Sequence, residues 1–354
     1  MKSLIERLYK KQTLPPEELH VLLENCDDYH LNLINKLAQT VAETHFGKKI
    51  FVRGLIEIGN CCHNNCYYCG IRSGNKTLER YRLSEENILD CCYNGYQSGF
   101  RTFVLQSGED PFMTDEKITA IVSAIRRNFP DVAITLSLGE KEAGSYKKFY
   151  EAGATRYLLR HETYNQAHYN MLHPCSMSLK KRLECLYELK EIGYQTGTGI
   201  MVGSPFQTIT HLVEDILFIK EFCPEMIGIG PFLPHHQTPF ADKPSGTLKQ
   251  TLLLLSVFRL MHPYALIPAT TALSTLAADG RKKGILAGAN VVMPNLSPPV
   301  QRKKYELYDH KACTGAEAAE GLSLLEKELQ QIGYTISKDR GDYNDLTRKQ
   351  KNVS

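Results

Sequence analysis

Eight short apolar runs, each followed by a longer stretch, mostly amphipathic, constrain this chain more than any other feature. They are "FVRGLIEIGN" (51–60), "TFVLQSG" (102–108), "AITLSLG" (133–139), "RYLLRHE" (156–162), "YQTGTGIMVG" (194–203), "MIGIGPF" (226–232), "ALIPATT" (265–271) and "ANVVMPN" (289–295). Their length and β-branched content suit strands. The stretches between them carry helix signals. "SEENILDCCYNGYQSG" opens on Ser84 as an N-cap, and "SLKKRLECLYELKEIG" runs from the cap Ser178 to a stop at Gly193. Strands alternating with helical crossovers predict an α/β protein. Eight of them suit a full (β/α)8 TIM-type barrel, with an open parallel sheet as the alternative.

Residues 1–46 read as a short N-terminal helical lead-in. There, Pro15 and Pro16 precede a helix, where a missing N–H does little harm. Residues 47–338 read as the barrel with a C-terminal helix, "GAEAAEGLSLLEKELQQIG", and 339–354 as a flexible polar tail. No repeat or shift in composition marks a second domain. The apolar content, 42% of 354 residues, suffices for a full core.

A formal charge of +3 gives no sign of a nucleic-acid partner. "QRKK" (Gln301–Lys304) and "RKQK" (Arg348–Lys351) read as solvated faces. No apolar run approaches the ~18 residues of a membrane helix. The start, "MKSLIERLYKKQTL", has no apolar signal core. A cytoplasmic protein without membrane contact is expected.

The strand runs begin apolar and end polar: Gln106-Ser107-Gly108, Ser137-Leu138-Gly139, Arg160-His161-Glu162, Thr270-Thr271. In parallel barrels the C-terminal strand ends carry the active site, so these polar residues fall where chemistry would need them.

Eleven cysteines make an odd number for a disulfide framework, and a chain of this size needs none. Cys26, Cys91, Cys92, Cys175, Cys185 and Cys223 are scattered and read as filler. "NCCHNNCYYCG" is different. Directly after the first strand, Cys62, Cys66 and Cys69 form C-x3-C-x2-C. Soft thiolates suit iron–sulfur clusters or zinc. Three of them on a 4Fe–4S cube leave one iron open. A zinc site closed by Cys61 or His63 is the alternative, but such sites usually come as two C-x2-C halves, and no second half is present.

The C-x3-C-x2-C motif, with Tyr68 before its last cysteine, resembles the radical S-adenosylmethionine (SAM) superfamily. The resemblance implies that Cys62, Cys66 and Cys69 hold a 4Fe–4S cluster whose open iron chelates SAM. It also implies that an electron from a one-electron reductant cleaves SAM to a 5′-deoxyadenosyl radical. Further stretches narrow it: "VLQSGEDP" (104–111), "TLSLGE" (135–140), "RYLLRHET" (156–163), "MVGSPFQT" (201–208), "GIGPFLPHHQTP" (228–239), "PATTA" (268–272) and "GANVVMPN" (288–295). In this order, from Gly54 to Tyr308, they resemble the HydE-type FeFe-hydrogenase maturases, cousins of biotin synthase and methylornithine synthase.

Carried over by this resemblance, Tyr68 lies beside the adenine, and Gln106, Ser107, Gly108 and Glu109 lie near the methionyl amine of SAM. Ser137, Glu162 and Arg182 match positions that hold SAM. Arg182 stands on a helix and, without the resemblance, would read as a surface arginine. Arg160, Thr270, Thr271 and Tyr305 match residues around the substrate cavity, with Met226 alongside, where a core role suits it equally. A guanidinium and two hydroxyls suit a carboxylate. The implied substrate is a small organometallic, an iron–carbonyl–cyanide–cysteine complex supplied by a companion hydrogenase maturase. Some of these maturases carry a second cluster on a C-terminal cysteine trio. Here "YDHKACTGAEAAEGL" has only Cys313, so a single cluster is expected and Cys313 reads as idle.

Other functions compete. Sulfur insertion of the biotin-synthase type would need strand cysteines, and none of the eight runs contains one. A methylornithine-type mutase would need groups for an amine as well as a carboxylate. A non-catalytic iron–sulfur carrier would need no lined cavity. His161, His235 and His236 read as hydrogen-bonded loop or core histidines, and no proton donor or acceptor is assigned.

Overall fold

A computed structural model of the chain describes residues 1–312 and 315–344. Most of the sequence runs form strands, and most of their polar ends lie at or just beyond the strands' C-terminal ends. The first run is split at Arg53 into β1 (Lys49–Val52) and β2 (Gly54–Gly59). Then come β3 (Thr102–Ser107), β4 (Ala133–Ser137), β5 (Arg156–Leu158), β6 (Gln195–Thr198), β7 (Met201–Val202), β8 (Met226–Ile227), β9 (Gly230–Pro231), β10 (Val291–Val292) and β11 (Thr335–Ser337). Strands β2, β3, β4, β5, β6 and β8 lie side by side in that order, all parallel. β7 pairs with β9, and β1 lies between β10 and β11, again in parallel.

The result is a TIM-barrel-like parallel sheet, not one continuous closed ladder. The run 265–271 forms no strand, and 289–295 gives only the short β10. Single parallel bridges tie these two segments to their neighbours: Met226 to Leu266, Pro268 to Val291, and Asn295 to Leu55. The physical reason is local. Pro268 and Pro294 lack the N–H that a ladder position must donate.

Helices cover the sheet as the alternation demands. The lead-in forms α1 (Lys2–Lys11), α2 (Pro16–Asn25) and α3 (Asp28–Phe46). Next come α4 (Glu85–Gln97), α5 (Asp115–Asn128), α6 (Ala143–Glu151), α7 (Gln166–Leu172), α8 (Leu179–Ile192), α9 (Ile209–Phe222) and α10 (Leu248–Met261). Short helices α11 (Thr271–Leu276), α12 (Gly280–Leu286) and α13 (Pro299–Arg302) follow. The Ser84 hydroxyl accepts from the Asn87 N–H at 3.1 Å and starts α4. Ser178 caps α8, which ends at Gly193 in the left-handed region. The lead-in is no appendage: Ile5, Leu8, Leu22 and Ile34 share one apolar cluster with Ile56, Phe103 and Phe258, and α3 lies along α10.

The C-terminal region departs from expectation twice. The long predicted helix is broken into two 3-10 turns, Gly315–Glu317 and Ala319–Gly321, before α14 (Leu322–Gln330). Gly315 takes φ 61° and Ala318 bridges to Asn295, so the backbone leaves the helical path there. Nor are the first tail residues loose. Arg156, fully buried on β5, donates from Nη2 to Asp342 Oδ1 at 2.6 Å and to the Gly341 carbonyl at 3.1 Å. The Thr102 hydroxyl donates to the Arg340 carbonyl at 2.7 Å. A buried guanidinium needs acceptors, and residues 340–342 supply them. Cys313 and residues 345–354 lie outside the described residues. Among the described residues, no helix is long and apolar enough to cross a membrane.

Candidate active site

The polar strand ends converge on one cavity of about 350 Å³ at the C-terminal edge of the sheet. Of the residues singled out in the sequence, Cys62, Cys66, Tyr68, Cys69, Gln106, Ser107, Gly108, Glu109, Ser137, Arg160, Glu162, Arg182, Thr270, Thr271 and Tyr305 all line it. Met226 does not. It is buried beneath, packed with Leu266 and Val291, and its sulfur accepts from Arg53 at 3.1 Å. The period-two alternation explains this: Met226 and Gly228 share a face, but Gly228 is nearer the mouth.

The cysteine loop sits at the mouth. Cys61 turns away, its thiol 3.8 Å from the Tyr81 carbonyl. Burial pushes the Cys62 and Cys66 thiols up and Cys69 up to about 12. A cation bound there would favour the thiolate forms. A tetrahedral zinc shell would bring sulfurs within about 4 Å of one another. Among the described residues, His235, His236 and Asp309 form a trio whose ligand atoms all lie within 4.8 Å. Cys62, Cys66 and Cys69 line one cavity, and three soft thiols together suit a multi-iron cluster. A side chain at Gly108 would place its Cβ 2.5 Å from Cys62 Cβ, so glycine lets β3's end approach the cluster loop.

The histidine trio is not a convincing metal site. His235 Nδ1 accepts from the Gln237 N–H at 3.0 Å, so the neutral ring keeps its proton on Nε2. His161 lies outside the cavity, between Thr198 at 2.8 Å and Asp215 at 3.3 Å. Burial pushes His161 down to about 3 and the Asp215 carboxyl well up, each towards its uncharged form.

Around the cluster loop the polar groups are fixed by their own chain. The Tyr68 hydroxyl donates to His173 Nε2 at 3.1 Å, and His173 Nδ1–H donates to the Tyr169 carbonyl at 3.0 Å. Arg182, only 7% exposed, is no surface residue. It reaches from α8 to Glu140 at 2.5 Å, to the Arg160 carbonyl at 2.7 Å and towards Glu109 at 3.8 Å. Glu162 takes φ 66°, unusual for a residue with a side chain, and pairs with Arg160 at 2.8 Å.

Deeper in, Gln106 donates to the Tyr305 hydroxyl at 3.2 Å. Burial pushes the Tyr305 phenol up, which keeps it protonated. Thr271 donates to Glu317 at 2.8 Å. Among the described residues, Glu57 Oε2, Arg160 Nε and Thr270 Oγ1 are buried without a hydrogen-bond partner. Each such atom costs about 1–3 kcal/mol if nothing else bonds it.

Sequence reasoning missed several lining residues. Glu57 pairs with Lys311, whose ammonium also donates to the Tyr305 carbonyl at 3.0 Å. Met177 brings its sulfur to 3.6 Å from the Cys66 thiol. Glu57 was findable, since it alternates with Leu55 at the polar end of the first run. Lys311 and Met177 stand in loops with no periodicity to point to them.

The radical SAM superfamily model matches residues 56–219, the stretch holding the three cysteines. The [FeFe] hydrogenase maturase subunit HydE of Thermotoga maritima is 41% identical, over 96% of this chain and 97% of its own. The chain belongs to the HydE family of radical SAM enzymes. Superfamily members use a 4Fe–4S cluster and SAM. The HydE family's relatives are visible too. The 3-methylornithine synthase of Methanosarcina acetivorans is 29% identical over 81% of each chain. The crystal structure of methylornithine synthase (PylB) superposes with a TM-score of 0.84 at 26% identity, covering 94% of this chain and 97% of that one.

Proposed function

We propose that this HydE-family enzyme directs a 5′-deoxyadenosyl radical at a small iron–carbonyl–cyanide–cysteine complex, in assembly of the FeFe-hydrogenase diiron subcluster. Cys62, Cys66 and Cys69 hold a single 4Fe–4S cluster, with no second one. One-electron reductive cleavage of the C–S bond of SAM is the chemistry that a cluster held by these three cysteines would supply.

The chain's own residues bind and orient. Gln106 to Glu109, Ser137, Glu162 and Arg182 hold SAM, with Tyr68 beside its adenine. Arg182 is locked by Glu140, so its guanidinium is aimed before SAM arrives. Arg160, Thr270 and Thr271 take the carboxylate of the substrate, and the protonated Tyr305 hydroxyl can donate to it. Lys311, drawn to Glu57, ties the 305–311 segment over the cavity and limits water.

Residues 47–338 then form the catalytic unit, its eight staves ringing the cavity, braced by the lead-in 1–46. A cytoplasmic setting, a one-electron reductant and companion hydrogenase maturases complete the reading, without nucleic acid or membrane. The observation that carries it is the meeting, in one cavity, of three thiols with the polar side chains of Glu57, Arg160, Glu162 and Thr270.

The test supplies anaerobically reconstituted protein with SAM, dithionite and the companion maturase's iron product. Consumption of that complex with release of 5′-deoxyadenosine supports the reading. Release of 5′-deoxyadenosine with the complex untouched overturns the substrate. The likeness to 3-methylornithine synthase favours one second reading, a carbon-skeleton mutase, which L-lysine as sole substrate would reveal.

A further inference from the structure

Four glycines stand on the adjoining staves 195–202 and 226–231, and three of them are explained by their neighbours. A Cβ on Gly197 would lie 2.7 Å from Leu158 Cδ1. One on Gly199 would lie 1.8 Å from the Gly228 carbonyl oxygen, and one on Gly230 2.8 Å from Thr270 Oγ1. Gly228 has no such cause. Its φ is outside the left-handed region. A Cβ there would meet Leu158 Cδ1 at 3.7 Å, the Thr198 carbonyl oxygen at 3.9 Å and Arg160 Cδ at 4.0 Å, all ordinary contacts.

Glycine within a strand-like stretch is destabilising relative to alanine, because the unfolded chain loses more freedom. A methyl group would fit at 228, so the folded chain gives no reason to leave it out. Gly228 is buried and lines the cavity next to Arg160, whose Nε is without a partner among the described residues. Gly228 and Arg160 line the same cavity.

We propose that Gly228 is a specificity-determining residue. Its missing side chain leaves room for the bulk of an anionic substrate whose charged end is held by Arg160. The substrate class is a small carboxylate-bearing molecule with a head broader than a linear aliphatic chain, lying against Leu158 and the stem of Arg160. The proposal rests on the reading that Arg160 faces substrate.

The series Gly228→Ala, Gly228→Val and Gly228→Leu tests it. Melting temperature and the kinetic constants for the companion maturase's iron product are measured on each. Gly228→Ala is expected to melt no lower than the unaltered enzyme. KM is expected to rise with side-chain size, about 10- to 200-fold per step that fills the occupied space, with a smaller change in kcat. An unchanged KM across the series overturns the proposal. So does a melting temperature that falls in Gly228→Ala together with turnover, since Gly228 would then be a packing requirement. If the unaltered enzyme ignores the iron product, the function reading fails by itself. Calorimetric binding of free L-cysteine then judges Gly228: weaker binding by Gly228→Leu supports the proposal, and equal binding overturns it.

Discussion

The run that forms β5 and the turn beyond it holds two arginines, and they differ in exposure. Arg156, at the floor, is fully buried and bonded to its own chain through Asp342, Gly341 and Thr102. Arg160, four residues on at the mouth, is partly open to solvent, and its Nη2 donates to the Ile200 carbonyl at 2.7 Å and pairs with Glu162 at 2.8 Å; in both arginines Nε is unpartnered among the described residues. The same side chain is a rivet where it is sealed from solvent and part of the cavity wall where it stays partly open. The floor contributes stability, and the mouth leaves a charged side chain within reach of the cavity.

The largest expected effect tests the mouth. Cys62→Ala, Cys66→Ala and Cys69→Ala should each abolish the brown 4Fe–4S absorbance and 5′-deoxyadenosine release, with circular dichroism retained because these thiols lie outside the apolar core. Next comes the floor. Asp342→Ala strands a buried guanidinium, and loss of a buried partner costs about 3–5 kcal/mol. Asp342 is itself partly open to solvent, so about 2–3 kcal/mol is expected in denaturant unfolding, with turnover per folded molecule unchanged. If turnover fell instead, the division between floor and mouth would fail. Arg160→Gln should lower kcat/KM for the iron complex by about 10- to 100-fold, the size of one or two lost charged hydrogen bonds.

The smallest effect is a pH dependence outside both ends. His168 is buried between Thr163 and Pro205, at 3.0 Å each, and burial pushes it down to about 4. Its folded pKa lies below the unfolded value near 6.5, so the unfolded chain binds the extra proton. Stability is full above pH ~6.5 and is lost as pH falls towards 4, by about 2 kcal/mol at pH 5. Denaturant midpoints of His168→Gln should show a flatter slope between pH 7 and 5.

Sequence reasoning read the mouth far better than the floor. Caps are local, so Ser84 and Ser178 start helices and Gly193 ends one where expected. Strand ends are local too, and the polar endings met in one cavity. What escaped was tertiary. Nothing near Asp342 says that it answers an arginine on β5, so residues 340–342 read as loose tail. The splitting of the first run at Arg53 reflects a change of strand partner, not a break in its pattern. Met226 was on the correct face of its strand but one layer too deep. The segment 265–271 has strand composition, yet Pro268 breaks the ladder.

Glu162 shows how far the mouth departs from what folding alone would choose. A left-handed backbone under a charged side chain is a standing strain of about 1–3 kcal/mol. Glycine at that position would relax it, so a screen that rewarded heat resistance alone would be drawn to discard this carboxylate. A hardier but inert descendant would show that the bend is kept for its work and not for its comfort.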